Sequence, residues 1–162
     1  MPLDPQTRSA LATTLADFME DYARVIDRNE LERWPEFFEV KCTYKVTTRD
    51  NEEAGYPIGV MYAGSRAMLQ DRVMALRDAN IYEDQRYHHL VGRPYVVQVD
   101  GEMVRAETSF LVIRTMLDGA MTVFAAGSYH DLLRVTPEGI HIAERIVVCD
   151  SARVDTLMAL PL

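Results

Sequence analysis

The sequence predicts an α+β fold, helices first and a curved, mostly antiparallel sheet after. Three observations carry this expectation. Apolar residues recur at helical spacing from Leu11 to Val25. From Gln85 to Cys149 the chain reads as one strand after another, punctuated by Asp100-Gly101 and Asp118-Gly119. The last two strands form a long hairpin over 121–150, closed by Thr136-Pro137-Glu138-Gly139, whose apolar face needs cover.

Asp4-Pro5 is a helix start, with Asp as N-cap and Pro in the first helical position. Leu11, Leu15, Phe18, Tyr22 and Val25 then follow at steps of 4, 3, 4 and 3, which puts them on one helix face. Asn29 suits a left-handed stop. A short helical turn is expected over Glu30–Trp34, cut by Pro35. Trp34, Phe37 and Phe38 are expected to anchor the helices to the sheet. Lys41–Thr48 alternates and is rich in β-formers, hence a strand.

Residues 49–64 carry Asn51, Gly55, Pro57, Gly59 and Gly64 and read as one long loop, a candidate contact surface. Ser65 can cap a helix over Arg66–Ala79, with Asn80 closing it. Arg86–Val99 reads as one strand with an irregular middle at Gly92 and Pro94. Glu102–Met116 is the next strand. In the hairpin, Val123, Ala125, Gly127 and Tyr129 alternate with Phe124, Ala126, Ser128 and His130. The tail over 151–162 is apolar at its end and is expected to dock on its own domain or on a partner.

The chain has 162 residues, enough for one domain, 1–162, with a sizeable core. A net charge of −8 argues against a nucleic-acid partner, which needs a basic face. No apolar run approaches a bilayer span, and no signal peptide is visible, so no membrane and a cytoplasmic location are expected. Cys42 and Cys149 are far apart and read as buried thiols.

The histidines are the first candidates for chemistry. His88 and His89 are adjacent on a strand and point to opposite faces. With position 135 paired to 140, His130 falls opposite Arg145 and His141 opposite Arg134. The two His share a face but stand roughly 13 Å apart, too far for one ion. Acid–base chemistry is the second candidate: a cone pocket could gather Tyr22, Tyr44, Asp21 and His89 for a dehydratase or isomerase. No nucleophile elbow or phosphate loop is present. Helices folded over such a sheet make a cystatin-like, nuclear-transport-factor-2-like cone, and that arrangement by itself leaves function open.

Three stretches resemble a family. They are Tyr22…Leu31…Trp34…Phe37-Phe38…Cys42-Thr43-Tyr44, then Arg86-Tyr87-His88-His89-Leu90-Val91, then Gly127–Arg134 followed by Glu144–Asp150. In order and spacing they are similar to the small (β) subunits of aromatic-ring-hydroxylating (Rieske non-haem iron) dioxygenases. Trp34–Phe38, Asp78–Glu83 and Asp155–Leu162 look like the branch that oxidises terephthalate, an aromatic carboxylate. The resemblance implies a noncatalytic, structural subunit that self-associates as a trimer with three large α subunits, α3β3. It places a [2Fe–2S] cluster and a mononuclear Fe(II) in the α subunit, fed by an NAD(P)H-dependent reductase, where O2 and the aromatic acid give a cis-dihydrodiol. It implies no catalytic, cofactor-binding or metal residue in this chain. The residues agree, because neither the paired Cys and His of a Rieske centre nor a two-His-one-carboxylate set is present. The alternatives are the free-standing cone enzyme and a binding module with a small apolar ligand in its cone.

Overall fold

A computed structural model describes residues 3–57, 59–79, 85–152 and 160–162. Helix α1 spans Pro5–Asp27, and the Asp4 carboxylate accepts the backbone N–H groups of Gln6 and Thr7 that the first turn leaves unpaired. Its buried face includes Leu15, Met19, Tyr22 and Ile26; Arg28 caps its C-terminus and Asn29, just beyond, is left-handed with φ 59°. A 3-10 helix follows over Leu31–Phe37, running through Pro35 instead of stopping there. The looser hydrogen-bonding of a short 3-10 run loses one bond to proline, and burial of Leu31, Trp34 and Pro35 offsets it.

Strand β1 covers Phe38–Thr48, and a short helix α2 covers Arg49–Glu53. The Thr48 hydroxyl caps α2 by accepting the Asn51 N–H. Strand β2 is Met61–Ala63 and helix α3 is Arg66–Ala79. The expected 49–64 loop is therefore a helix, a turn and an edge strand. The Thr48 cap and the pairing of β2 with β1 outweigh its glycines and proline. Ser65 caps α3 by accepting the Met68 N–H. The Asn80 stop lies outside the described residues.

Strands β3 (Gln85–Val91) and β4 (Tyr95–Asp100) replace the single strand expected over 86–99. Gly92 and Pro94 break it completely, and both halves pair with β5, Met103–Met116. Strands β6 (Met121–Thr136) and β7 (Gly139–Cys149) form the hairpin. The order is β2-β1-β7-β6-β5-β3, with β4 also on β5. Every pairing is antiparallel except β1 with β7.

Two bulges set which side chains point where. On β6, Val112 pairs with Ala125 but Ile113 pairs with Val123, so Phe124 is the extra residue. On β7, Leu132 pairs with Glu144 but Leu133 pairs with Ile142, so Ala143 is the extra residue. Bulges bend and twist a sheet and reverse the inside–outside alternation beyond them. Gly127 sits where the strands crowd: a Cβ there would lie 1.9 Å from the Val148 carbonyl oxygen. The helices cover the inner face. Its core includes Trp34, Phe38 and Tyr44, packed edge to face with centroids 5.2 to 5.8 Å apart. Leu160 and Leu162 belong to the same core.

Candidate functional site

The inner face carries a band of buried polar side chains. Asp131 on β6 stands directly across from Arg145 on β7, whose other neighbour is Tyr44 on β1. Arg145 donates from Nε and Nη2 to the two Asp131 oxygens, each at 2.8 Å. Its guanidinium lies between two rings, 4.2 Å from the Tyr22 centroid and 4.1 Å from that of Tyr129. Burial works against the charge, but the Asp131 carboxylate outweighs it and the guanidinium pKa is raised. Arg145 Nη1 and the Tyr129 hydroxyl are buried without a hydrogen-bond partner among the described residues.

A second network closes the cone. Trp34 Nε1 donates to the Tyr22 hydroxyl at 3.0 Å, and Tyr22 donates to the main-chain oxygen of Leu162 at 2.8 Å. Tyr44 donates to the same oxygen at 3.0 Å and accepts the Leu162 N–H at 3.1 Å. Burial raises the pKa of Tyr22 and raises those of Tyr44 and Tyr129 further, so all three remain neutral donors. The end of the tail thus folds onto its own domain, and 160–162 are not an exposed contact surface. Residues 153–159 lie outside the described residues.

At the C-terminal end of α1, Asp27 holds His89. Its Oδ2 accepts the His89 backbone N–H at 2.8 Å, and its Oδ1 lies 2.6 Å from the ring Nδ1. The far ring nitrogen is buried with no partner among the described residues. A carboxylate against one ring nitrogen orients the imidazole, the geometry of an acid–base pair, and it also ties α1 to β3.

Of the residues the sequence pointed to, Tyr22, Tyr44 and His89 are inside and buried. Asp21 is not: it sits on the exposed face of α1. Asp27 supplies the carboxylate instead, because it falls on the buried side at the last turn. His130 does not face Arg145 but Ile146, since the Ala143 bulge shifts the register by one; Arg145 falls to Asp131. His141 does pair with Arg134. His130 Nε2 lies 3.0 Å from the Ser128 hydroxyl. Among the described residues no group of three His, Cys, Asp or Glu could hold a metal ion. The sequence reading missed the Arg145–Asp131 pair: strict alternation puts Arg145 on the face opposite Ile140, Ile142, Ile146 and Val148, and the Ala143 bulge brings it across from Asp131.

The outer face of the sheet is different. Leu90, Met121 and Val123 are 54%, 68% and 64% exposed. They lie beside Leu111 and Ile113 on neighbouring strands. Period-two alternation would put Val123 inside with Tyr129. The Phe124 bulge turns it out and packs Phe124 against Tyr87 at 5.0 Å. Tyr56, Val60 and Tyr62, from the 49–64 region, are exposed as well.

Comparison with known proteins decides the family. The family model described as "Ring hydroxylating beta subunit" matches residues 21–156. The chain belongs to the ring-hydroxylating β-subunit family. It is 45% identical to a β subunit of the terminal oxygenase component of terephthalate 1,2-dioxygenase from Comamonas sp., over 91% of this chain and 96% of that one. It is 39% identical to the anthranilate 1,2-dioxygenase small subunit of Burkholderia cepacia, over 87% and 88%. The crystal structure of a β subunit assigned to an aromatic-ring-hydroxylating dioxygenase of Novosphingobium aromaticivorans superposes with a TM-score of 0.88 at 35% identity, covering 95% and 98%. This β subunit is therefore a component of a dioxygenase, and its family implies an α partner. Its cone is the expected α+β arrangement.

Proposed function

We propose that this β subunit is the noncatalytic scaffold of a Rieske-type dioxygenase that cis-dihydroxylates an aromatic carboxylate, terephthalate foremost. One observation carries the reading: the inner groups that could do chemistry are committed to structural bonds, while apolar residues stand exposed on the outer sheet face. Arg145 is held by Asp131, His89 by Asp27, and Tyr22 and Tyr44 by Leu162. Leu90, Met121 and Val123 are side chains that a subunit contact would cover. The identity to a terephthalate dioxygenase β subunit supports the substrate class.

The [2Fe–2S] cluster and the mononuclear iron belong in this reading to the α subunit, with O2 reduced there by electrons from an NAD(P)H reductase. The histidines here do not fit such groups: His89 is bonded to Asp27, and His130 and His141 lie at separate positions along the hairpin. The β subunit has no catalytic, cofactor-binding or metal residue of its own. It acts as one domain, 1–162, in the cytoplasm; no helix among the described residues is long and apolar enough to cross a membrane. It trimerises and holds three α subunits in register as α3β3. Native mass of the co-expressed complex tests this. Equal amounts of α and β at the mass of a hexamer are expected. A β chain that elutes alone beside α would overturn it.

A further inference from the structure

We propose that β subunits contact one another head to tail, the outer face at the β3 end of one sheet covering the β2 end of the next copy's sheet. The inference rests on the trimer reading above and says which two surfaces meet. The sheet order ends in β2 on one side and β3 on the other, and each end exposes apolar side chains. At the β3 end these are Leu90, Met121 and Val123. Arg86 pairs with Thr115 and Thr115 with Met121, so Arg86 stands in one row with Met121. At the β2 end Tyr56, Val60 and Tyr62 are exposed. Tyr62 pairs with Lys45, Lys45 with Ile146, Ile146 with His130 and His130 with Glu107. That row puts Tyr62 on the same outer face as Leu111 and Ile113. Three strand spacings, about 14 Å, separate β2 from β6, so one chain cannot cover its first patch with its second.

The two patches carry opposite charge. Arg86 and His88 are exposed at the first, and residues 85–91, 111–116 and 121–126 contain no carboxylate. Asp118, in the turn between β5 and β6, accepts its own Ala120 N–H at 2.9 Å. At the second patch α2 exposes Asp50 and Glu53. Glu52 lies 3.6 Å from Lys45, and Arg49 is bonded to Asp150, so Asp50 and Glu53 are the charges that α2 leaves to a neighbour. A cationic apolar patch attracts an anionic one and repels a copy of itself, which selects a head-to-tail contact over a two-fold one. A head-to-tail pair still has one patch open at each end, and closure into a ring covers both. Three copies in a ring meet that condition.

The test is cross-linking within the co-expressed α–β complex, with Val123→Cys and Tyr62→Cys in one β chain and a short bismaleimide as the probe. Cys42 and Cys149 are buried, so the two new thiols are the reactive ones of the β subunit. Covalent β–β species up to a trimer are expected on a denaturing gel, and neither cysteine alone should give a β–β product. Adding Arg86→Glu should lower the yield roughly three-fold or more, and adding Asp50→Arg and Glu53→Arg to that chain should restore it. A β–β product from Val123→Cys alone means a two-fold contact and overturns the proposal. Cross-linking of either position to α overturns it too, as does failure of the charge exchange to restore the yield. The native mass of the same complex reads the trimer separately. Three β chains without the paired cross-link leave the trimer standing and overturn the contact assigned here, whereas fewer than three overturn both.

Discussion

The two faces of strands β5–β7 contrast in what they leave unsatisfied. Inside, Tyr129 and Asp131 face a packed, buried band in which Arg145 is bonded to Asp131, while the Tyr129 hydroxyl and Arg145 Nη1 have no hydrogen-bond partner among the described residues. Outside, the same strands present exposed apolar side chains, Met121 and Val123 above all. An enzyme built in a cone would show the reverse, an open polar concavity and a quiet back. In the scaffold reading proposed above, the concavity holds the fold together and the back is the face left for other chains.

The inner face breaks most severely at its buried charges. Arg145→Met leaves the Asp131 carboxylate buried and alone, and should cost about 3–5 kcal/mol in denaturant unfolding. The double change Arg145→Met with Asp131→Leu should recover most of that loss; no recovery would mean the pair is not what the band depends on. Alkaline pH tests the same face. Burial pushes the Cys149 thiol up to about 11 from an ordinary value of 9.0. The folded state keeps this proton while the unfolded state releases it. Stability should be level below about pH 9, fall between 9 and 11, and lose roughly 2–3 kcal/mol from this group. Cys149→Ala should flatten that part of the curve.

Tyr44→Phe removes one donor and one acceptor from Leu162 and should cost roughly 1–3 kcal/mol. Hydrogen exchange at the Leu162 amide should accelerate more than exchange in β6. On the outer face the expected order of effects reverses. Val123→Glu should change stability by no more than about 0.5 kcal/mol. It should nevertheless release the β subunit from its complex on size exclusion, whereas Tyr44→Phe should leave the complex intact. If both variants behave alike in assembly, the division between faces is wrong.

Much of this architecture was legible in the sequence because its signals are local. The Asp4 cap, the α1 stripe, the Ser65 cap and the Asp-Gly turns each depend on residues a few positions apart. The 135–140 register of the hairpin was legible for the same reason. What was not legible depends on partners distant in the chain. The parallel pairing of β1 with β7 joins residues about a hundred positions apart, and no local pattern announces it. The Ala143 and Phe124 bulges are single extra residues inside runs that alternate correctly on either side. They moved Arg145 onto Asp131 and turned Val123 outward, and so decided both the inner band and the outer patch. Asp27 was missed because it ends the helix, beyond the stripe that ends at Val25. The histidine separation was read correctly, although the residue opposite His130 was not.

The most direct test of the scaffold reading separates the chains and asks where iron and turnover reside. The β subunit and its α partner are purified apart, assayed for iron and for oxidation of terephthalate with a reductase, and then recombined. The β subunit alone is expected to hold no iron and turn over nothing, while recombination with α gives an iron-containing complex that forms the cis-dihydrodiol. Turnover by the isolated β subunit, or a complex as active without it as with it, would contradict the account.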